Sequence, residues 1–349
     1  MPDELSLIAA RIEAAEKERA ALAGRLRFNS GKMKFSETIE ESLYCPVEKV
    51  AVNGKVSAVD SGIIGEELHG FNFLLSRTVG VVFDYKASRP SSHLYFPSAI
   101  PPLAYDVRAG LDSHDVIWHK SLFRLKVELT CAAQIIGREN PAYMLLDGSI
   151  APLLSDKPPE DSEMHPLYQE VVGAYRSLYE KAWGSGCTLA GVIKDSRSKR
   201  FIEIVGRHAQ NEPGLLHTTD SNFLHFLLSA GERTCAFAYS SAPSKHQILK
   251  DLGGWSEKIL SFYLKPVKDD RPLRVEFLSG QKPFGEIASF IHSLSCQHKS
   301  YAYPAVLIEA DMRAALSTDD FEYAYGSLWS KIGGKSSLMR LRRNSRPFR

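Results

Sequence analysis

Between residues 55 and 195 the chain changes its hydrophobic period in one order: strand, strand, strand, helix, strand, helix, strand. That order leaves few folds open. Residues 55–63 (KVSAVDSGI) alternate as a strand, and residues 68–85 (LHGFNFLLSRTVGVVFDY) read as two strands with a bend near Ser76–Thr78. Residues 88–106 are rich in Pro and Ser and read as loop. Residues 115–138 have helical spacing, with Ile117, Leu122, Leu125, Leu129, Ala132 and Ile136 on one face and Pro141 after the stop. AYMLLDGS (142–149) is the fourth strand, 167–185 the next helix, and TLAGVIKD (188–195) a further buried strand. Three strands in succession can form a meander, whereas strands separated by helices need crossovers. The fold class expected is α/β, a mixed β-sheet flanked by helices.

Residues 3 to about 26 predict a helix with a thin apolar stripe (Leu5, Ile8, Ile12, Ala15, Leu22), suited to packing on its own domain, on a second copy or on a partner. In the second half TCAFAYS, SFYLK and LRVEFL are strand-like. PFGEIASFIHSLSCQH reads as helix with Pro283 near its first turn, YPAVLIEADMRAALS as extended and then helical around Glu309, and DFEYAYGSLWSKI as helix. These are additional C-terminal α+β elements. With 44% hydrophobic residues there is enough apolar material for a large core, and 43 basic against 41 acidic residues point to no partner by net charge. The final fifteen residues carry six basic and no acidic side chains, a pattern that suits nucleic-acid phosphates or an acidic partner surface, although taken alone a solvated, frayed terminus is the favoured reading. Five cysteines, widely spaced and without a CxxC pair, argue against a disulfide framework and a zinc ribbon. The charged N-terminus is no secretory signal, and no apolar run is long enough for a bilayer.

Each acid has an ordinary reading. Asp147 and Asp60 follow strands in Asp-Gly-Ser and Asp-Ser-Gly, which is common turn chemistry. Glu128 sits at the edge of an apolar helix face, where an unpaired carboxylate is costly and a salt bridge is the usual remedy. As a set they say more. If strands one and four are parallel neighbours, Asp60 and Asp147 emerge at one carboxyl edge, and the helix carrying Glu128 passes close by. Like charges ~4 Å apart repel by roughly 4 kcal/mol per pair at an effective dielectric near 20. Such a cluster needs protons or cations, and hard oxygen donors favour Mg²⁺ or Mn²⁺.

This order of strands and acids resembles the ribonuclease H-like nucleases, and within them the NurA family of DNA nucleases. The resemblance rests on AVDSG, on Glu128 in its helix and on LLDGS. It continues through LAGVIKDSRS, FYLK…PLRVEF and YAYPAVLIEAD, covering residues 58 to about 315. It implies metal ligands at Asp60, Glu128 and Asp147. A fourth falls at Asp311, where the family typically has histidine. It further implies a two-metal Mn²⁺ or Mg²⁺ site, Lys194 as a phosphate-binding catalytic residue, and Arg197 and Lys199 as a DNA track. Each of these cations has an alternative as an ion-pair or solvated loop residue. His292 and His298 are candidates to stand in for the missing histidine.

The domain reading that follows is an N-terminal helix over 1–30 for dimer or partner contact, a nuclease domain with insertions over 50–317, and a C-terminal helix and basic tail over 318–349. The implied activity is 5′-to-3′ exonuclease and single-strand endonuclease action in DNA double-strand-break end resection. The implied assembly is a homodimer working with a HerA-type hexameric translocase in a prokaryotic, archaeal cytoplasm. The alternatives are a DNA-binding scaffold with weakened catalysis, suggested by Asp311, and another ribonuclease H-like nuclease. GGKSS at 333–337 is not a phosphate loop: Trp329 stands where the first glycine is needed, and a helix precedes it instead of a strand.

Overall fold

The computed structural model describes residues 3–29, 37–206, 215 and 218–344. Helix α1 spans Glu4–Asn29 and strand β1 Tyr44–Pro46. Strands β2 (Gly54–Glu67), β3 (Asn72–Lys86), β4 (Arg89–Phe96) and β5 (Ala104–Arg108) follow, then α2 (Ser113–Glu139), β6 (Tyr143–Asp147), α3 (His165–Ser185) and β7 (Thr188–Ile193). The remainder is α4 (Arg200–Gly206), α5 (Asp220–Leu227), β8 (Glu232–Thr234), β9 (Phe237–Ala238), β10 (Ile259–Lys265), β11 (Leu273–Leu278), α6 (Phe284–Ser295), α7 (Ala305–Ala314) and α8 (Thr318–Ile332). These elements gather into two compact units, Met1–Val52 with Ala190–Ala305, and Asn53–Leu189 with Val306–Arg349. Each unit is therefore built from segments far apart in sequence.

In the second unit β2 and β3 form a long antiparallel hairpin, with Gly54 opposite Tyr85 at one end and Glu67 opposite Asn72 at the other. On its far side β2 runs parallel to β6, pairing Val56–Val59 with Tyr143–Leu146. The sheet is mixed, as expected from the strand order, and the parallel neighbours are the predicted ones.

Two expectations fail in this unit. β3 runs unbroken through Ser76–Thr78 where a bend was expected, and the segment read as loop supplies β4 and β5. The polar residues inside β3 are satisfied laterally: the Ser76 hydroxyl donates to the Gly62 carbonyl at 3.0 Å, and Arg77 donates to Asp320 at 2.6 Å. Strand β4 carries no apolar alternation because Arg89–Leu94 are exposed on an outer strand, where Pro90 is tolerated.

Helix α2 is fixed at both ends. The Asp112 carboxylate accepts the backbone N–H groups of His114 and Asp115 at 2.7 and 2.8 Å, and Asn140 closes the helix in the left-handed region. Leu122, Leu125, Leu129, Ala132 and Ile136 are buried as predicted, each large one contributing roughly 1.5–3 kcal/mol by leaving water. Ile117, assigned to the same face, lies 64% exposed near the start of the helix. Gly80 of β3 lets Ile135 and Cys131 of α2 sit directly on the sheet. Gly80 opposes Val59 in the ladder, so the odd-numbered β2 residues face α2 and the even-numbered ones, Asp60 and Gly62, face away. Helix α7 begins immediately after Pro304, earlier than the predicted turn at Glu309.

The first unit orders its strands β1-β8-β10-β11-β7, with β9 also pairing β10. The short β8 and β9 take the place of the predicted continuous strand TCAFAYS. The C-terminal part of α1 buries Leu22, Ala23 and Leu26 in a cluster with Phe223, Leu224, Phe237 and Tyr263. The more N-terminal stripe residues Leu5, Ile8 and Ile12 are exposed. Pro283 precedes α6 as its cap residue rather than entering the first turn.

A side chain at Gly62 would collide with the Ala314 carbonyl oxygen at the end of α7. Gly62→Ala is expected to lower unfolding stability by about 1–3 kcal/mol through overpacking. Denaturant titration checks this, and an unchanged midpoint would contradict the close approach.

Candidate metal centre

The ladder between β2 and β6 ends at Val59 opposite Leu146, so the next residues in register are Asp60 and Asp147. Parallel strands lie ~4.8 Å apart, and equivalent positions point to the same side of the sheet. Both carboxylates are therefore brought to one edge by backbone hydrogen bonds alone. Gly148 then takes a φ of 125°, which ends β6 directly behind its aspartate. Helix α7 brings Asp311 to the same place, with the close approach of Ala314 to Gly62 as its seat. One oxygen from each of Asp60, Asp147 and Asp311 lies within 4.8 Å of the other two.

Two networks hold α7. Glu309 accepts from the Tyr95 hydroxyl at 2.8 Å and from Arg313 at 2.6 Å, and the Arg313 guanidinium lies 3.8 Å from the centre of the Tyr95 ring. Arg77 donates to the Ala315 carbonyl at 2.8 Å while gripping Asp320. Glu309 therefore serves structure, on a different face from Asp311.

Asp60 is buried, Asp147 is half-buried and Asp311 is exposed. Burial, reinforced by the charges of Asp147 and then Asp311, pushes the Asp60 carboxyl up to about 6, against the Ser61 N–H that donates to it at 2.7 Å. Glu128 is 3% exposed. Burial outweighs the pull of Arg124 and pushes Glu128 up to about 8. It does not belong to the close carboxylate group. It projects from α2 and accepts from Arg124 at 3.0 Å. The three aspartates and Arg124 line an open cleft of about 630 Å³ with Met312 and Gly62. Oxygen donors of this number and kind fit a hard divalent ion. Asp60 and Asp147 would hold it from the strand ends and Asp311 from the helix.

Lys194, Arg197 and Lys199 belong to the other unit. Lys194 directly follows β7 with its ammonium 4.5 Å from the centre of the Tyr303 ring, and the Tyr303 hydroxyl donates to the Val192 carbonyl. Arg197 and Lys199 are exposed. His292 is buried on α6 against the Pro266 carbonyl and His298 bonds Ser300; neither joins the carboxylate group. Arg124 was missed in the sequence. Its signal was available: a basic residue four positions before a Glu on an apolar helix face is the partner such a Glu needs.

A mixed sheet with a meander, a parallel fourth strand and acids at the shared carboxyl edge is the arrangement of a ribonuclease H-like nuclease. The NurA domain model matches residues 54–316. The chain belongs to the NurA family of nucleases. The NurA nuclease from Sulfolobus solfataricus has a similar structure, with a TM-score of 0.61 at 15% identity over 94% of both chains. A NurA structure bound to dAMP and manganese gives 0.56 at 9% identity, covering 97% of this chain and 99% of that one. No sequence among curated proteins matches.

Asp60 and Glu128 hold protons more tightly in the folded chain than at their ordinary values of 3.8 and 4.5. The stability they allow is present in full below those values and is lost as pH rises through about 6 and about 8. In EDTA, Glu128→Gln is expected to raise the melting temperature by several degrees near about pH 9 and to change it little near about pH 5. Thermal unfolding at both values checks this; a variant less stable at high pH would contradict it.

Proposed function

We propose that the chain is a metal-dependent deoxyribonuclease that hydrolyses phosphodiester bonds in single-stranded DNA or at DNA ends. The observation that carries this reading is the convergence of Asp60, Asp147 and Asp311 within 4.8 Å at the edge of a rigid mixed sheet. Mn²⁺ or Mg²⁺, in a one- or two-ion site held by these carboxylates, would supply a water of lowered pKa and offset charge developing on the phosphate. The protein's part is to hold the carboxylates in place before substrate arrives. The strand ladder does this for Asp60 and Asp147, and the Tyr95–Glu309–Arg313 network does it for Asp311. Glu128 stands behind the group as a further ligand once its proton leaves. The family resemblance is what supports Lys194 as a phosphate-binding residue and Arg197 and Lys199 as a DNA track.

Family resemblance supports the finer points: 5′-to-3′ processing, a homodimer, and cooperation with a HerA-type hexameric translocase in end resection. The manganese and dAMP named for a similar structure support the choice of ion and of a nucleotide substrate. The placement of Asp311 beside the two strand-end aspartates favours a working site over a scaffold that has lost catalysis. No helix among the described residues is long and apolar enough to cross a membrane.

Cleavage of 5′-labelled single-stranded DNA is expected with Mn²⁺ or Mg²⁺ and not with EDTA. Asp60→Asn and Asp147→Asn are each expected to lose more than about 100-fold in rate while staying folded. Asp311→His is expected to remain within about 10-fold, since imidazole also binds Mn²⁺. Full activity in either strand-end variant would overturn the site.

A further inference from the structure

We infer that Arg124 is the seat for a substrate phosphate in this cleft, an inference that rests on the metal-dependent reading above. Among the described residues it is the one cation that lines the cleft beside the three carboxylates. Its side chain is 31% exposed and its position is fixed from below: α2 is capped at both ends, and Glu128 one turn later takes a hydrogen bond from one terminal nitrogen at 3.0 Å. No other hydrogen bond is made by this guanidinium among the described residues, so Nε and the second terminal nitrogen keep donors to offer. A guanidinium held by one edge presents a planar fork to an incoming anion, and that shape matches two phosphate oxygens.

The surrounding charge explains when it acts. With the acids ionised and no cation present, Glu128 above all, and then Asp60 and Asp156, hold its charge in check. Divalent ions on Asp60, Asp147 and Asp311 remove the aspartates' share of that field, and the cleft becomes more attractive to an anion in the loaded state. Arg124 thus couples phosphate binding to metal binding without itself ligating the metal.

The test separates binding from cleavage. With Ca²⁺ in place of Mn²⁺ to suppress turnover, thymidine 5′-phosphate and 5′-labelled oligothymidylate are titrated against wild type, Arg124→Ala and Arg124→Lys. Mn²⁺ affinity is measured separately by calorimetry. Arg124→Ala is expected to lose about 10- to 100-fold in affinity for both phosphate-bearing probes, as for a charge-assisted hydrogen bond. Its Mn²⁺ affinity is expected to be unchanged or tighter, and its KM for DNA to rise. Arg124→Lys, which keeps the charge but not the fork, is expected to recover part of the loss. A folded Arg124→Ala protein that binds both metal and phosphate probe as wild type does would overturn the inference alone. A wild type that binds no Mn²⁺ would instead overturn the metal-dependent reading on which it rests.

Discussion

The parallel pairing of β2 with β6 is the constraint on which the site depends. Its four paired residues leave Asp60 and Asp147 as the next step of the ladder. A slip of one residue would turn one carboxylate to the opposite face of the sheet. The apolar runs before each aspartate prevent that slip, because they are buried on both faces and fit only one register. The core thus determines the spacing of two charges that would otherwise repel.

Around that pair the fold works against simple stability. Three carboxylates are gathered, one of them buried, and a fourth is sunk behind them on α2. The cost appears as raised proton affinity at Asp60 and Glu128. A protein holds such an arrangement when its scaffold is firm and a cation relieves the strain. The scaffold is firm: a cap at each end of α2, a glycine that admits α7 to the sheet, and Arg77 and Arg313 fastening the end of that helix. Each is a structural feature whose effect is read at the carboxylates.

How much of this could be read from sequence varied with the physics of each part. Asp60 and Asp147 were legible because an apolar run that stops on an acid is a strong pattern, and the strand–helix order made the two strands neighbours. Asp311 was found only through family resemblance, since nothing local marks a helix-surface aspartate as functional. Glu128 was legible as an anomaly, but its pairing with Arg124 depends on how the helix rotates against the sheet. Strand β4 was invisible because an exposed outer strand need not alternate. The division into two units was also hidden. Each unit is assembled from segments more than a hundred residues apart, and composition does not change at the boundaries.

The central claim is that Asp60, Asp147 and Asp311 together hold a divalent ion. Crystals of the protein grown with Mn²⁺, measured at the manganese absorption edge, test it most directly. The account predicts an anomalous peak within bonding distance of all three carboxylates, with none there in crystals grown in EDTA. Manganese bound elsewhere, with this cleft empty at saturating ion, would contradict it.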